Sequence, residues 1–300
     1  MNQDQIIERE KTFIDKISEQ YHYDSNIRHL LYIMIPAFII KYGVNQEKLI
    51  LNTFRDIQII SSEKENKIIK AYYSSTPIFI NGEYQTKKVM VIQNYKSIQL
   101  VDLLDNLVHE FNHAINSYKR EIQVGNKYIY LRTGLTFRIY QKEDRSFIKK
   151  QSSYILEEII NTKQTSDIIN IIKSFHSKDI DIANTIYAIN AETNEKYVSN
   201  SYYFQSYVCK EILNNRTFIS TLENLRLSGE VYDIDKWFDD ITGEKDSYKT
   251  MNHLLEEVYN LELKYVNQKI FKTLTISKIR DLSRSILRII DKFNKNVNFR

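Results

Sequence analysis

Apolar side chains recur at helical spacing near the start of the chain, with Ile6, Ile7, Phe13, Ile14 and Ile17 on one stripe of residues 4–20. Residues 26–42 continue in the same style until Gly43, a residue that commonly ends a helix. From 50 to 95 the period shortens. Residues 68–73, 77–80 and 88–95 are brief and rich in β-branched and aromatic side chains, and Asn81-Gly82 between the last two is a turn signal. A small sheet is predicted there. Helical spacing returns over 99–118 through Leu100, Leu103, Leu104, Leu107, Phe111, Ala114 and Ile115, with polar residues between them as a half-buried helix requires.

Residues 128–140 read as strand, broken at Arg132-Thr133-Gly134, where Gly134 suits a tight turn with positive φ. Arg132 there has three readings: a pair with Glu157, a contact to a substrate carboxylate, or a plain turn residue in a surface salt bridge. Another helix is predicted over 152–175, and 179–295 is almost wholly helical, with a break near Gly229 and a loop at Thr242-Gly243. The fold class is therefore α+β: a mixed lobe over 1–175 with a helical start, then a mainly helical lobe over 176–300. No repeat or Pro/Gly/Ser-rich linker separates them. Tyr232, Trp237 and Phe238 are expected to anchor one helix of the second lobe to its neighbours. Ile276, Ile279, Leu282, Ile286, Leu287, Ile290 and Phe293 give the last helix an apolar face, which fits a packed terminal helix better than a membrane-surface one.

Composition narrows the function classes. The net charge of +4 comes from 42 basic and 38 acidic side chains that are interleaved, so no basic block invites nucleic acid. Cys209 is the only cysteine, which excludes an intrachain disulfide and a cysteine-based zinc cluster within one chain. The first residues lack the basic start and apolar run of a signal peptide, and the most apolar stretch, 30–40, contains Pro36 and falls short of the roughly twenty residues that span a bilayer. A cytoplasmic protein without a transmembrane segment is expected. Its oligomeric state is not legible.

The chemistry sits in the helix over 99–118. Leu107-Val108-His109-Glu110-Phe111-Asn112-His113-Ala114 contains His-Glu-x-x-His, and residues four apart share one face, so His109 and His113 can meet one zinc ion. Glu110 can then reach a water in the open position of that ion without ligating it, which is where a general base belongs. Asp102 and Asp105, earlier on the helix, are either hydrogen-bond partners of the ligands or part of a solvated face. A catalytic zinc usually takes three protein ligands. A long-form zincin would place glycine at 116 and histidine at 119, where this chain has Asn116 and Lys119. A deformylase-like site would need a cysteine upstream of the histidines, whereas Cys209 lies downstream.

The motif together with Tyr154-Ile155-Leu156-Glu157-Glu158-Ile159-Ile160-Asn161-Thr162 resembles the gluzincins, the thermolysin-like zinc metallopeptidases whose third ligand is a glutamate on a second helix. The likeness covers about residues 88–165. It implies Glu158 as the third ligand, Glu157 as the neighbouring alternative and Asp167 as a more distant one. The chain departs from the family in the longer gap between His113 and Glu158, and in Thr162 where an aspartate would stand. The likeness further implies a zincin-like catalytic lobe, Zn2+ as cofactor, a peptide or protein substrate, and hydrolysis by metal-activated water with Glu110 as base. It also implies an edge strand that pairs with extended substrate, for which 88–93 is placed as expected; an ordinary core strand is the competing reading of the same residues. A tyrosine or histidine donor to the oxyanion is a further implication, with His176, Tyr202, Tyr203 and His253 as candidates and none assigned. Two other functions fit the sequence: a non-catalytic binding or regulatory protein retaining a metallopeptidase fold, and a zinc hydrolase of a non-peptide amide or ester.

Overall fold

The computed structural model describes residues 3–63, 71–151, 153–175, 207–268 and 272–297. Helices and two small sheets form a mixed α+β fold, arranged as two compact units: Met1–Tyr118 with Asn161–Tyr202, and Lys119–Ile160 with Tyr203–Arg300. These units do not coincide with lobes 1–175 and 176–300, because the dividing lines follow packing, and the helix over 154–175 contributes its two parts to different units.

The first unit opens with α1 (Gln3–Tyr21), α2 (Ser25–Tyr42) and α3 (Glu47–Asp56). Asp24 caps α2 by accepting from the Ile27 N–H at 2.9 Å, which satisfies one of the amides that a helix start leaves unpaired. The apolar stretch 30–40 is a core helix, with Leu30, Leu31, Ile33, Met34, Ile35, Phe38 and Ile39 all buried. Among the described residues no single helix is long and apolar enough to cross a membrane. The helix α3 corrects the expectation of a sheet texture beginning at residue 50: its apolar stripe of Leu49, Ile50 and Phe54 keeps helical spacing to residue 56.

The first sheet contains β1 (Gln58–Ser62), β2 (Ala71–Ile80) and β3 (Glu83–Gln93) in the order β1-β3-β2. Asn81 and Gly82 both take positive φ, 51° and 84°, as a two-residue hairpin turn requires, and the strands they join pair from Ile80–Glu83 to Ala71–Ile92. Since β3 pairs with β1 on one side and β2 on the other, residues 88–93 are a central strand and not the expected edge. Met90, Val91 and Ile92 are buried, the apolar run of a strand covered on both faces. The strand beside β3 that packs on the next helix, α4 (Leu100–Tyr118), is β2. From Val101 to Ser117 nearly every position of α4 is buried, so it is a core helix and not a half-buried one.

The second unit carries a four-stranded antiparallel sheet of β4 (Ile122–Val124), β5 (Tyr128–Thr133), β6 (Thr136–Gln141) and β7 (Phe147–Gln151), in that order. The predicted break at Arg132-Thr133-Gly134 is the β5–β6 hairpin, where Gly134 has φ +56°. A Cβ there would overlap the Glu157 carboxylate, so packing demands glycine as well as the turn. Strands β4 and β7 carry no clear alternation in sequence and were not anticipated.

Arg132 is fully buried and hydrogen-bonds to the backbone oxygens of Gly134 (2.9 Å), Arg226 (3.0 Å) and Lys119. It is therefore not a surface ion pair; burial pushes its pKa down to about 10. Helix α5 (Tyr154–Phe175) starts here, followed by α6 (Tyr207–Asn214), α7 (Arg216–Ser228), α8 (Ile234–Thr242), α9 (Ser247–Gln268) and α10 (Lys272–Val297). Gly229 and Gly243 end α7 and α8 in the left-handed conformation, at the two expected breaks. Phe293 of α10 meets Phe218 (5.4 Å), Trp237 (5.5 Å) and Phe238 (4.9 Å), so the terminal helix is packed and Trp237 anchors as predicted.

Candidate metal centre

The helix α4 carries four polar residues on one stripe, because positions three and four apart stack on a helix face. His109, Asn112, His113 and Asn116 are all buried. The imidazoles of His109 and His113 lie with ring centroids 4.9 Å apart and planes at 80°, turned so that the rings do not stack against each other.

The asparagines hold α5 in register with this stripe. Asn112 Nδ2 donates to Asn161 Oδ1 at 2.7 Å, and Asn161 Nδ2 donates to the His109 carbonyl at 3.0 Å. Gln164, one turn further along α5, accepts from Asn112 and Asn116 at 3.2 Å each, and the Tyr42 hydroxyl of α2 donates to Asn112 and to Gln164. Such a buried amide network satisfies most of its members only in one relative position of the helices. Because α5 is one unbroken helix, fixing Asn161 also fixes Glu158 three residues earlier.

The outcome is a buried group of His109, His113 and Glu158 in which one ligand atom from each lies within 4.8 Å of the other two. Two imidazoles and a carboxylate are a donor set that suits zinc. Donors at normal zinc bond lengths stand roughly 3.3 Å apart in a tetrahedral site, so small side-chain movements would bring them onto one ion. Among the described residues, these are the ones that could hold a metal.

The alternatives to Glu158 are engaged elsewhere. Glu157 is buried, forms a salt bridge to Arg226 at 2.5 Å and accepts from Arg226 Nε and the Leu135 N–H at 2.8 Å each. Asp167 pairs with Lys41 at 2.5 Å and Lys163 at 2.9 Å. Adjacent helix positions differ by about 100° around the axis, which sends the two neighbouring glutamates to different partners.

Glu110 is buried on α4, and its Oε2 accepts from the Tyr73 N–H of β2 at 2.7 Å. A backbone amide holding the carboxylate fixes its orientation without occupying a side chain. No residue type announces a backbone donor, so Tyr73 carries no sign in sequence of its contact with Glu110. Of the two aspartates upstream, Asp102 is exposed and Asp105 is buried. His253 is exposed on α9, whereas His176, Tyr202 and Tyr203 lie outside the described residues. Tyr259 of α9 was missed among twenty-two tyrosines. Burial, and after it the charge of Glu158, raises its pKa. Lys150 of β7 also feels Glu158: burial lowers its pKa, and the charge of Glu158 opposes that.

No protein-family model, curated protein or solved structure matches this chain.

Proposed function

We propose that the chain is a zinc-dependent metallopeptidase of the gluzincin type, with His109, His113 and Glu158 as metal ligands, Glu110 as general base and a zincin-like lobe around them. The observation that carries this reading is the gathering of three buried donors within 4.8 Å, two of them on α4, the helix that also bears a buried, backbone-held glutamate next to the first ligand. A purely structural metal site has no use for a carboxylate in that position.

Bound zinc would supply a water with a pKa near 7 and a Lewis acid for the substrate carbonyl. Glu110, oriented by the Tyr73 N–H, takes the proton of the attacking water and passes it to the leaving amine. Tyr259, whose pKa is raised by burial and then by the charge of Glu158, is assigned the donation of a hydrogen bond to the oxygen that gains charge. The buried ligands and the Asn112–Asn161 contact keep this constellation rigid, so little reorganisation is needed on the way to the transition state.

Metal analysis of the purified protein together with the Glu110→Gln variant tests the reading. About one zinc per chain is expected in both proteins, with cleavage of a peptide library in the wild type and a loss of about 10²-fold or more in the variant. Zinc binding without cleavage of peptides, amides or esters by the wild type would favour a non-catalytic metal protein. Cleavage confined to small amides or esters would move the substrate class. Absence of metal from the wild type would end the reading.

A further inference from the structure

Two backbone carbonyls fix the polarity of the amides between α4 and α5. A carbonyl oxygen only accepts, so Asn161 must turn its Nδ2 toward the His109 carbonyl, which it meets at 3.0 Å. Its Oδ1 then faces Asn112 and accepts from Nδ2 of that residue at 2.7 Å. At the other end, Asn116 Nδ2 donates to the Asn112 carbonyl at 2.8 Å. Asn112 thus turns its Oδ1 toward α2, where the Tyr42 hydroxyl donates to it while accepting from Asn116 Nδ2 at 2.7 Å. A phenol suits this place because one oxygen both donates and accepts.

The chain of hydrogen bonds therefore runs in one direction, from Tyr42 through Asn112 and Asn161 to the peptide carbonyl of a candidate metal ligand. Reversing either Asn112 or Asn161 would set oxygen against oxygen. All three asparagines are fully buried, where a misoriented amide finds no water to repair it. Tyr42 is the last residue of α2, and its ring stacks on the buried Phe38 ring, 6.4 Å away at 13°. Asn116 Nδ2 also stands 3.2 Å from Asn112 Oδ1, so losing the phenol would weaken the chain without leaving that oxygen bare.

We propose that Tyr42 is a positioning residue of the metal centre. Its hydroxyl holds Asn112 in the orientation that lets Asn161 seat α5, and with it Glu158 three residues earlier, against the turn of α4 that carries His109. This rests on the metal-binding part of the function proposed above. The consequence is that metal affinity is set in part from α2, a helix with no ligand of its own in the His109, His113 and Glu158 group. Partners that orient ligands act on affinity in this way without touching the ion.

Zinc affinity of the full chain, measured by competition with a chromophoric chelator, tests this on Tyr42→Phe, which keeps the ring and removes only the hydroxyl. Binding should weaken about tenfold, as loss of a ligand-orienting partner does. Asn161→Ala should weaken it at least as much, and the double variant no further than Asn161→Ala alone, because both changes break one chain. Tyr23→Phe is the matched control. That hydroxyl donates to the Ile57 carbonyl at 3.3 Å and accepts from the Ile59 N–H at 2.9 Å, so its loss should lower Tm and leave zinc affinity unchanged. With cobalt(II) in place of zinc, the visible bands at saturating metal should shift in Tyr42→Phe and stay in Tyr23→Phe, since only the first alters ligand geometry. Wild-type zinc affinity in Tyr42→Phe or in Asn161→Ala, or additive losses in the double variant, would overturn the inference and leave the metal site standing. A wild type that binds no zinc would overturn both.

Discussion

Glu157 and Glu158 show how far the fates of adjacent residues diverge when a helix turns between them. Glu157 neutralises Arg226, whose side chain is fully buried, while Glu158 joins the two histidines. The pair supplies a sharp test. Glu158→Gln should weaken zinc binding by about 10-fold or more with a folded chain, since a neutral amide replaces an anionic ligand. Glu157→Gln should keep zinc but cost about 3–5 kcal/mol of stability, because a buried guanidinium loses its counter-charge. Zinc titration and chemical denaturation of both variants separate the two roles, and the opposite pattern would reassign the third ligand. Tyr259→Phe belongs to the same scale: kcat on a cleaved peptide should fall about 10-fold or more at unchanged zinc content. An unaltered kcat would remove the oxyanion role from that phenol.

Among the elements, α2, α4 and α5 are joined by polar contacts inside an otherwise apolar unit. Tyr42, Asn112, Asn116, Asn161 and Gln164 set the register of these helices, and the Lys41–Asp167 pair closes the α2–α5 contact further out. Burial alone would raise the Asp167 pKa, but the hydrogen bonds and charges of Lys41 and Lys163 outweigh it and the net shift is downward. A carboxyl with a folded pKa below its unfolded one binds fewer protons when folded, so its stabilisation is present above the usual carboxyl range near 4 and is lost as pH falls through the lowered value. Asp167 keeps 36% of its side chain in solvent, and screening limits the pair to about 1 kcal/mol or less. Lys41→Met should therefore lower Tm modestly at pH 7, and the gap from the wild type should close below about pH 4. A gap unchanged at pH 3 would mean that Lys41 acts through packing of its methylenes.

On the scale of the whole molecule, metal binding at the proposed site would be linked to folding, because His109, His113 and Glu158 come from two helices and converge only in the native chain. Zinc at a hundred times its Kd should add about 2.7 kcal/mol to stability and raise Tm by several degrees. Chelation should reverse the shift, and His113→Ala should abolish it. A wild-type Tm that ignores both zinc and chelator would show that the ligand cluster does not bind the ion. Fluorescence of Trp237, which packs on Phe293, follows the unfolding of its own unit during the same titration.

Local pattern by itself determined the helices that bear chemistry, the hairpin at Asn81-Gly82, the glycine stops at Gly229 and Gly243, and the pairing of His109 with His113. Each depends on neighbours within a turn or two, and helical spacing is written directly in the order of residues. The implied choice of Glu158 over Glu157 needed the fold, because only the position of Arg226, 69 residues downstream, shows where Glu157 is spent. The edge position of β2 and the central place of β3 likewise depended on which strand β1 joined, a pairing between segments remote in sequence. The Tyr73 amide at Glu110, the influence of Glu158 on Tyr259 and the cross-strand register of Arg138 with Lys150 were illegible for the same reason. Backbone donors, isolated tyrosines and cross-strand register acquire chemical meaning only after distant parts of the chain have been brought together.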